Sequence, residues 1–135
     1  MKKCGIIGAG AWGSAISTII QSNKIYIWSQ NKKTVDSINK KKTNEYLKGI
    51  KLPKNLIATS DFKKLVDCNY FFIATPTQHT ASIIRRFRKY KISQNFIICS
   101  KGIEIKSGKF LSQVVKEIFP KSNIAILSGP CFADE

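Results

Sequence analysis

Gly8, Gly10 and Gly13, in "GAGAWG", stand at the spacing G-x-G-x-x-G between a β-like apolar run, "CGIIG", and a stretch of helical period. In that setting each glycine has its own task. The first permits a tight turn, the second lets a pyrophosphate approach the backbone, and the third lets helix and strand pack closely. Free N–H groups at the helix start, and the helix dipole, then face the anion. The same run, with Lys2 and Lys3 in front, also has the make-up of a secretory signal. Ser14, Ser17 and Thr18 interrupt it, however, and it is too short to span a bilayer comfortably. The units that follow also need this first strand at the centre of a sheet, so the residues favour the nucleotide turn.

Such a turn is normally followed, about twenty residues on, by an acid that holds the ribose. Here the apolar run "KIYIW" ends instead in Ser29, Gln30, Asn31, Lys32 and Lys33. Nothing there repels a 2'-phosphate and two lysines attract one, so NADPH is expected to bind at least as well as NADH. His79, the single histidine, lies in "TPTQHT" just beyond another apolar run, near the expected crevice. A lone polar residue near a helix start needs no acid–base role, and none is assigned to it. Cys4, Cys68, Cys99 and Cys131 form no C-x-x-C pair, which argues against a zinc site and a disulfide framework. No metal is expected, three of the thiols sit in or beside apolar runs as small buried hydrophobes, and a reducing, cytoplasmic setting fits.

The elements that must position these residues follow a steady beat. "CGIIG", "KIYIW", "LIAT", "NYFFIAT", "NFIICS" and "NIAIL" read as strands, each followed by a helix. Trp12, Ala15, Ile16, Ile19 and Ile20 repeat at helical spacing, as do Leu111, Val114, Val115 and Ile118. Asp61 is placed to cap a short helix through Val66, and Pro76 to open the next one. Unalternating runs such as "YFFIA" and "FIIC" imply strands covered on both faces. The expected fold is α/β: a doubly wound, Rossmann-type parallel sheet with helices on both faces. Lys41 to Pro53 breaks the rhythm and reads as a surface excursion with either a purpose or some disorder.

At 135 residues, with 43% apolar side chains, the chain is about the size of one domain and cannot bury two independent cores, so one domain over 1–135 is expected. The excess of 23 Lys and Arg over 8 Asp and Glu, a net +15, favours anionic partners without choosing among them. A basic nucleic-acid module is the rival class, led by "RRFRKYK", residues 85 to 91, where cations surround Phe87 and Tyr90. Ile83, Ile84 and Phe87 repeat at helical spacing, however, which turns the basic residues to solvent and makes this an ordinary amphipathic helix. No nucleic-acid partner and no membrane insertion are expected.

Three further stretches, "NEYLKGIKLP", "CSKGIE" and "LSGPCFADE", follow "GAGAWG" in that order. Together they resemble the cofactor domain of bacterial NAD(P)-dependent glycerol-3-phosphate dehydrogenase, and the resemblance runs from Met1 to Glu135. They argue against another NADPH-dependent reductase with the same turn, such as one acting on a keto acid. The resemblance implies reduction of dihydroxyacetone phosphate to sn-glycerol 3-phosphate with NADPH or NADH, a step toward phospholipids. It also implies that Ala11, Trp12, Gln30 and Ala133 contact the cofactor, that Lys101 contacts cofactor and substrate, and that Gly129 and Cys131 contact substrate. Cys131 stands where the family usually has Ser or Thr, and a thiol is the poorer hydrogen-bonding group. Gln30 stands where Arg or His is common, and Lys48 replaces a frequent proline. No catalytic residue is expected here, because the family's general acid/base lysine lies in a helical C-terminal domain that 1–135 does not include. Binding without turnover, and exposed apolar surface that invites self-association, are the corresponding expectations.

Overall fold

β1 (Lys3–Ile7) leads through the glycine turn into α1 (Ala11–Ile19), and the pattern repeats with β2 (Lys24–Trp28), α2 (Lys32–Lys41) and β3 (Leu56–Thr59) in the computed structural model, which describes residues 2–129. A 3₁₀ turn, Phe62–Leu65, precedes β4 (Tyr70–Ile73), and α3 (Thr77–Arg85) runs on into a second 3₁₀ turn, Arg86–Lys89. Then come β5 (Asn95–Ile98), a hairpin of β6 (Ile103–Glu104) and β7 (Lys109–Phe110), α4 (Leu111–Ile118) and β8 (Asn123–Ile126). Six strands pair in the order β3-β2-β1-β4-β5-β8, all parallel, while β6 and β7 pair separately. All six apolar runs became strands of this one sheet. Strand order reverses between β1 and β4, and the carboxyl ends of all six strands share one edge; crevices for ligands open there in such sheets.

Two cores fill the faces. One holds Ile6, Ile16, Ile25, Ile27, Ile38 and Leu56 beneath α1 and α2. The other holds Ile7, Trp28, Phe62, Phe71, Ile84, Phe87, Phe96 and the α4 residues Leu111, Val114, Val115 and Ile118. Fully burying each such aliphatic or aromatic side chain contributes roughly 1.5–3 kcal/mol before entropy. Asp61 does cap the first 3₁₀ turn, accepting from the Lys63 N–H at 2.9 Å, and Pro76 stands at the entrance of α3.

The structure departs from the sequence reading in two places. On α1 the buried face is Gly13, Ser14, Ile16 and Ser17, whereas Trp12 and Ile19 of the apolar stripe are exposed. Small residues let this helix approach the sheet closely, so size overrides hydrophobicity in choosing its inner face. The regular strand–helix alternation is broken twice, by a 3₁₀ turn after β3 and by the β6–β7 hairpin between β5 and α4. The excursion after α2 lacks regular structure, and Asn44 and Leu52 within it are each 3% exposed, so of the two alternatives it is an anchored loop.

Cys4, Cys68 and Cys99 are buried and unpaired, as the apolar context of these residues implies. Burial raises all three thiols, Cys68 to about 12 and Cys99 to about 11. The fold thus favours the protonated thiols, so their contribution is complete below the unfolded value of 9.0 and is lost as pH climbs toward the folded values. The urea midpoint is expected to fall from pH 9 upward, and Cys68→Ala should flatten that decline relative to the unmodified chain. An equal slope in both would remove Cys68 as a contributor.

Candidate functional site

The turn after β1 separates its three glycines by task. Gly8 has φ +115°, and a Cβ there would lie 2.7 Å from the Ala74 carbonyl oxygen on β4's extension. Its N–H donates to the Trp28 carbonyl at 3.1 Å, tying the turn to the end of β2. Gly13 is pressed against that turn, for its Cβ would fall 2.0 Å from the Gly8 carbonyl oxygen. Gly10 is unlike both: φ −76° and ψ −170° suit any residue, and a Cβ would meet nothing within 4 Å. The fold requires Gly8 and Gly13 but leaves Gly10 facing open space.

Above Gly10 begins α1, whose first residues Ala11, Trp12 and Gly13 have N–H groups with no acceptor within the helix. No acidic side chain lies in that first turn. A bare cradle with convergent donors and the positive end of a helix fits a pyrophosphate, so the residues present suit a dinucleotide.

Asn44 holds this turn from outside. Its Nδ2 donates to the Ala9 carbonyl at 2.8 Å and to the Ser14 hydroxyl at 2.7 Å, while its Oδ1 accepts from the Tyr46 N–H at 3.1 Å. The excursion after α2 is therefore a clamp on the glycine turn. Asn44 opens the stretch "NEYLKGIKLP", but a polar residue in a polar loop carries no periodic signal, and nothing in the sequence assigned it a role of its own. Asn44→Ala is expected to cost about 1–3 kcal/mol, since it leaves the Ala9 carbonyl without its buried donor. Asn44→Asp, which keeps the shape but not the donors, should do much the same. A urea midpoint unchanged in both variants would show that the clamp does not matter.

Across the crevice, the Trp12 indole N–H donates to the Cys99 carbonyl at 2.9 Å, joining α1 to the end of β5. Lys101 follows two residues later, exposed, at the strand's carboxyl end. Its backbone is held by the first residues of α3, for the Thr77 hydroxyl donates to the Lys101 carbonyl. Gln78 fixes the following segment, donating to the Ile103 carbonyl at 2.9 Å and accepting from the Ile105 N–H at 2.8 Å. The pair Thr77 and Gln78, which the sequence reading passed over, thus positions the loop that carries Lys101.

The shared strand edge brings the glycine turn, Gln30 after β2, Lys101 after β5 and Gly129 after β8 to one side of the sheet. Gln30 and Gly129 are exposed, and so is His79 in the first turn of α3. Cys131 and Ala133 lie outside the described residues. Among the described residues no group of three or more His, Cys, Asp or Glu is arranged to hold a metal, and no helix is long and apolar enough to cross a membrane. Exposed apolar side chains are present as expected, including Trp12, Ile103, Ile105, Phe110 and Ile126.

The sequence matches the family model described as NAD-dependent glycerol-3-phosphate dehydrogenase N-terminus over residues 3–135. It is 40% identical over 134 residues to a glycerol-3-phosphate dehydrogenase [NAD(P)+] of Neorickettsia sennetsu, covering 96% of this chain and 40% of that protein. A namesake from Zymomonas mobilis is 35% identical over 133 residues, covering 97% and 38% respectively. Among solved structures, glycerol-3-phosphate dehydrogenase from Coxiella burnetii superposes with a TM-score of 0.87 at 26% identity, over 96% of this chain and 41% of that one. The Plasmodium falciparum enzyme gives 0.86 at 28% identity, over 97% and 41%. The chain spans about two fifths of the length of the curated relatives it matches. With a glycine turn at the switch point of a parallel sheet and this match along nearly its whole length, the chain belongs to the NAD(P)-dependent glycerol-3-phosphate dehydrogenase family and corresponds to the family's N-terminal part.

Proposed function

We propose that residues 1–135 form one NAD(P)-binding domain, the cofactor-holding part of an enzyme that reduces dihydroxyacetone phosphate to sn-glycerol 3-phosphate for phospholipid synthesis in the cytoplasm. The observation that carries this reading is the open face of Gly10 between two glycines that the fold itself demands. When bound, NADPH or NADH supplies the hydride. The residues of the turn do the holding: Gly8 and Gly13 bring strand and helix together, and Gly10 admits the pyrophosphate to the N–H groups of Ala11, Trp12 and Gly13. Gln30, at the end of β2, faces the adenosine ribose without repelling a 2'-phosphate, and Ala133 adds a later contact.

Lys101 is assigned to both cofactor and substrate, as an ammonium that polarises the substrate carbonyl or holds its anion at the strand edge. Gly129 and Cys131 are assigned to substrate. The acid/base lysine and most of the phosphate clamp belong to the remaining length of the relatives, so these residues bind and orient without completing the proton transfer. Three buried unpaired thiols support a reducing compartment.

A direct test mixes the 135-residue chain with NADPH and dihydroxyacetone phosphate and follows the fluorescence of the reduced nicotinamide. A changed but steady signal is expected, showing binding without consumption. Steady decay would contradict the division of labour, and no change with either NADPH or NADH would contradict the cofactor assignment.

A further inference from the structure

The chain contains three arginines, Arg85, Arg86 and Arg88, and all of them line one groove; every other basic side chain except the histidine is a lysine. The groove, about 430 Å³, lies between Ser60, Asp61 and Phe62, just after β3, and the end of α3 with its 3₁₀ extension, where Lys89 and Tyr90 complete the wall. Its volume falls in the range of small-molecule sites. A general drift toward basic composition accounts for lysines scattered along the chain. It does not place every arginine on one wall.

The wall is also stiff. Phe87, in the middle of the basic stretch, is fully buried and packs edge-on against Phe62 at 4.5 Å. The Arg86 guanidinium lies 4.4 Å from the Phe62 ring centroid and 5.7 Å from that of Trp28, within cation–π reach of both rings. Among the described residues the ion pairs are Lys3–Asp67 and Lys109–Glu117, and neither involves a groove cation. Asp61, the acid of the groove, accepts the Lys63 N–H as the cap of its own turn. Four cations against one carboxylate leave the groove strongly positive.

We infer that this groove binds a phosphate monoester, whose dianion matches the fork of arginine and the charge of the wall. Two sources can supply that group. One is the 2'-phosphate of NADPH, which rests on the cofactor reading above. The Trp28 indole N–H donates to the Ser60 carbonyl at 3.2 Å and the Ser29 N–H to the Thr59 carbonyl at 3.0 Å, so the groove's near wall adjoins the strand end that carries Gln30. The other is a free phosphorylated small molecule, which needs no cofactor.

The experiment titrates the 135-residue chain with adenosine 2'-monophosphate, inorganic phosphate, adenosine, NADPH, NADH and a single-stranded oligonucleotide by calorimetry, and repeats it on Arg86→Gln, Arg88→Gln and Gly10→Asp. Both arginines are exposed, Arg88 without a ring contact, and a thermal melt of each variant checks that the fold is kept. Adenosine 2'-monophosphate should bind and adenosine should not. Each arginine variant should weaken the monoester by about tenfold, as loss of a charge-assisted hydrogen bond does, while Gly10→Asp leaves it unchanged. If the arginine variants weaken NADPH but not NADH, the 2'-phosphate is the source. If they weaken inorganic phosphate and spare both cofactors, the source is a free ligand. Unchanged monoester affinity in both arginine variants would overturn the inference, as would tighter, arginine-dependent binding of a single-stranded oligonucleotide. Failure of the unmodified chain to bind NADPH and NADH would overturn the cofactor reading alone, because the monoester titration still decides the groove.

Discussion

Gly10→Asp is expected to abolish NADPH and NADH binding, weakening each by at least about a hundredfold, while leaving the protein as stable as before or slightly more so. The two effects have separate causes. Gly10 is the N-cap of α1 with ordinary extended angles, and aspartate is among the best N-cap residues, a few tenths of a kcal/mol better there than glycine. The new side chain enters space in which nothing lies within 4 Å, so the fold has no objection to it. Its carboxylate, however, occupies the cradle assigned to a pyrophosphate, and like charges in contact cost several kcal/mol. Calorimetry and a thermal melt on the same sample check both halves. Retained affinity would mean that the cofactor does not approach Gly10.

Gly13→Ala should have the opposite profile. Its Cβ would stand 2.0 Å from the Gly8 carbonyl oxygen, a backbone atom that cannot swing aside as a flexible side chain does. Relief requires α1 to lift away from β1, which opens the contact between Ile16 and the core beneath it. A destabilisation above about 4 kcal/mol is expected, in the range reserved for backbone clashes and ruined packing. Against a typical total of about 5–15 kcal/mol, that leaves much of the chain unfolded near its working temperature. Far-UV circular dichroism on heating reads this directly. A melt within a few degrees of the unmodified chain would show that the turn has more freedom than its geometry implies.

The different fates of these neighbouring glycines illustrate what a sequence can and cannot convey. The G-x-G-x-x-G spacing was legible, and so were all six sheet strands, because parallel strands covered on both faces leave long apolar runs. The inner face of α1 was misread, since periodicity weighs hydrophobicity while close helix–sheet approach selects small residues such as Ser14 and Ser17. Two-residue strands like β6 and β7 are too short to leave a pattern. Asn44 lies in the legible stretch "NEYLKGIKLP", but its clamping role was not legible, because its partners stand at positions 9 and 14, distant in sequence and brought near only by the fold. Gln30 and Lys101 could be placed because each follows a strand, and strand ends are where a parallel sheet presents its side chains to ligands. Of the residues expected to face inward around "RRFRKYK", Ile84 and Phe87 are buried and Ile83 half-buried, but the α-helix stops at Arg85 and continues as a 3₁₀ turn, and periodicity could not show that the outward arginines line a groove with Asp61 and Phe62.

The most direct test of the cofactor assignment uses the chain's two tryptophans as reporters. Trp12 is half exposed beside the glycine turn and Trp28 is buried at the end of β2. Titration with NADPH at low and at high salt should give saturable quenching in both, with affinity changing only modestly, because a shaped cradle and not diffuse charge holds the ligand. Absence of a saturable response, or one reproduced by inorganic polyphosphate and erased by salt, would contradict the assignment and reduce the turn to a basic surface with a familiar sequence.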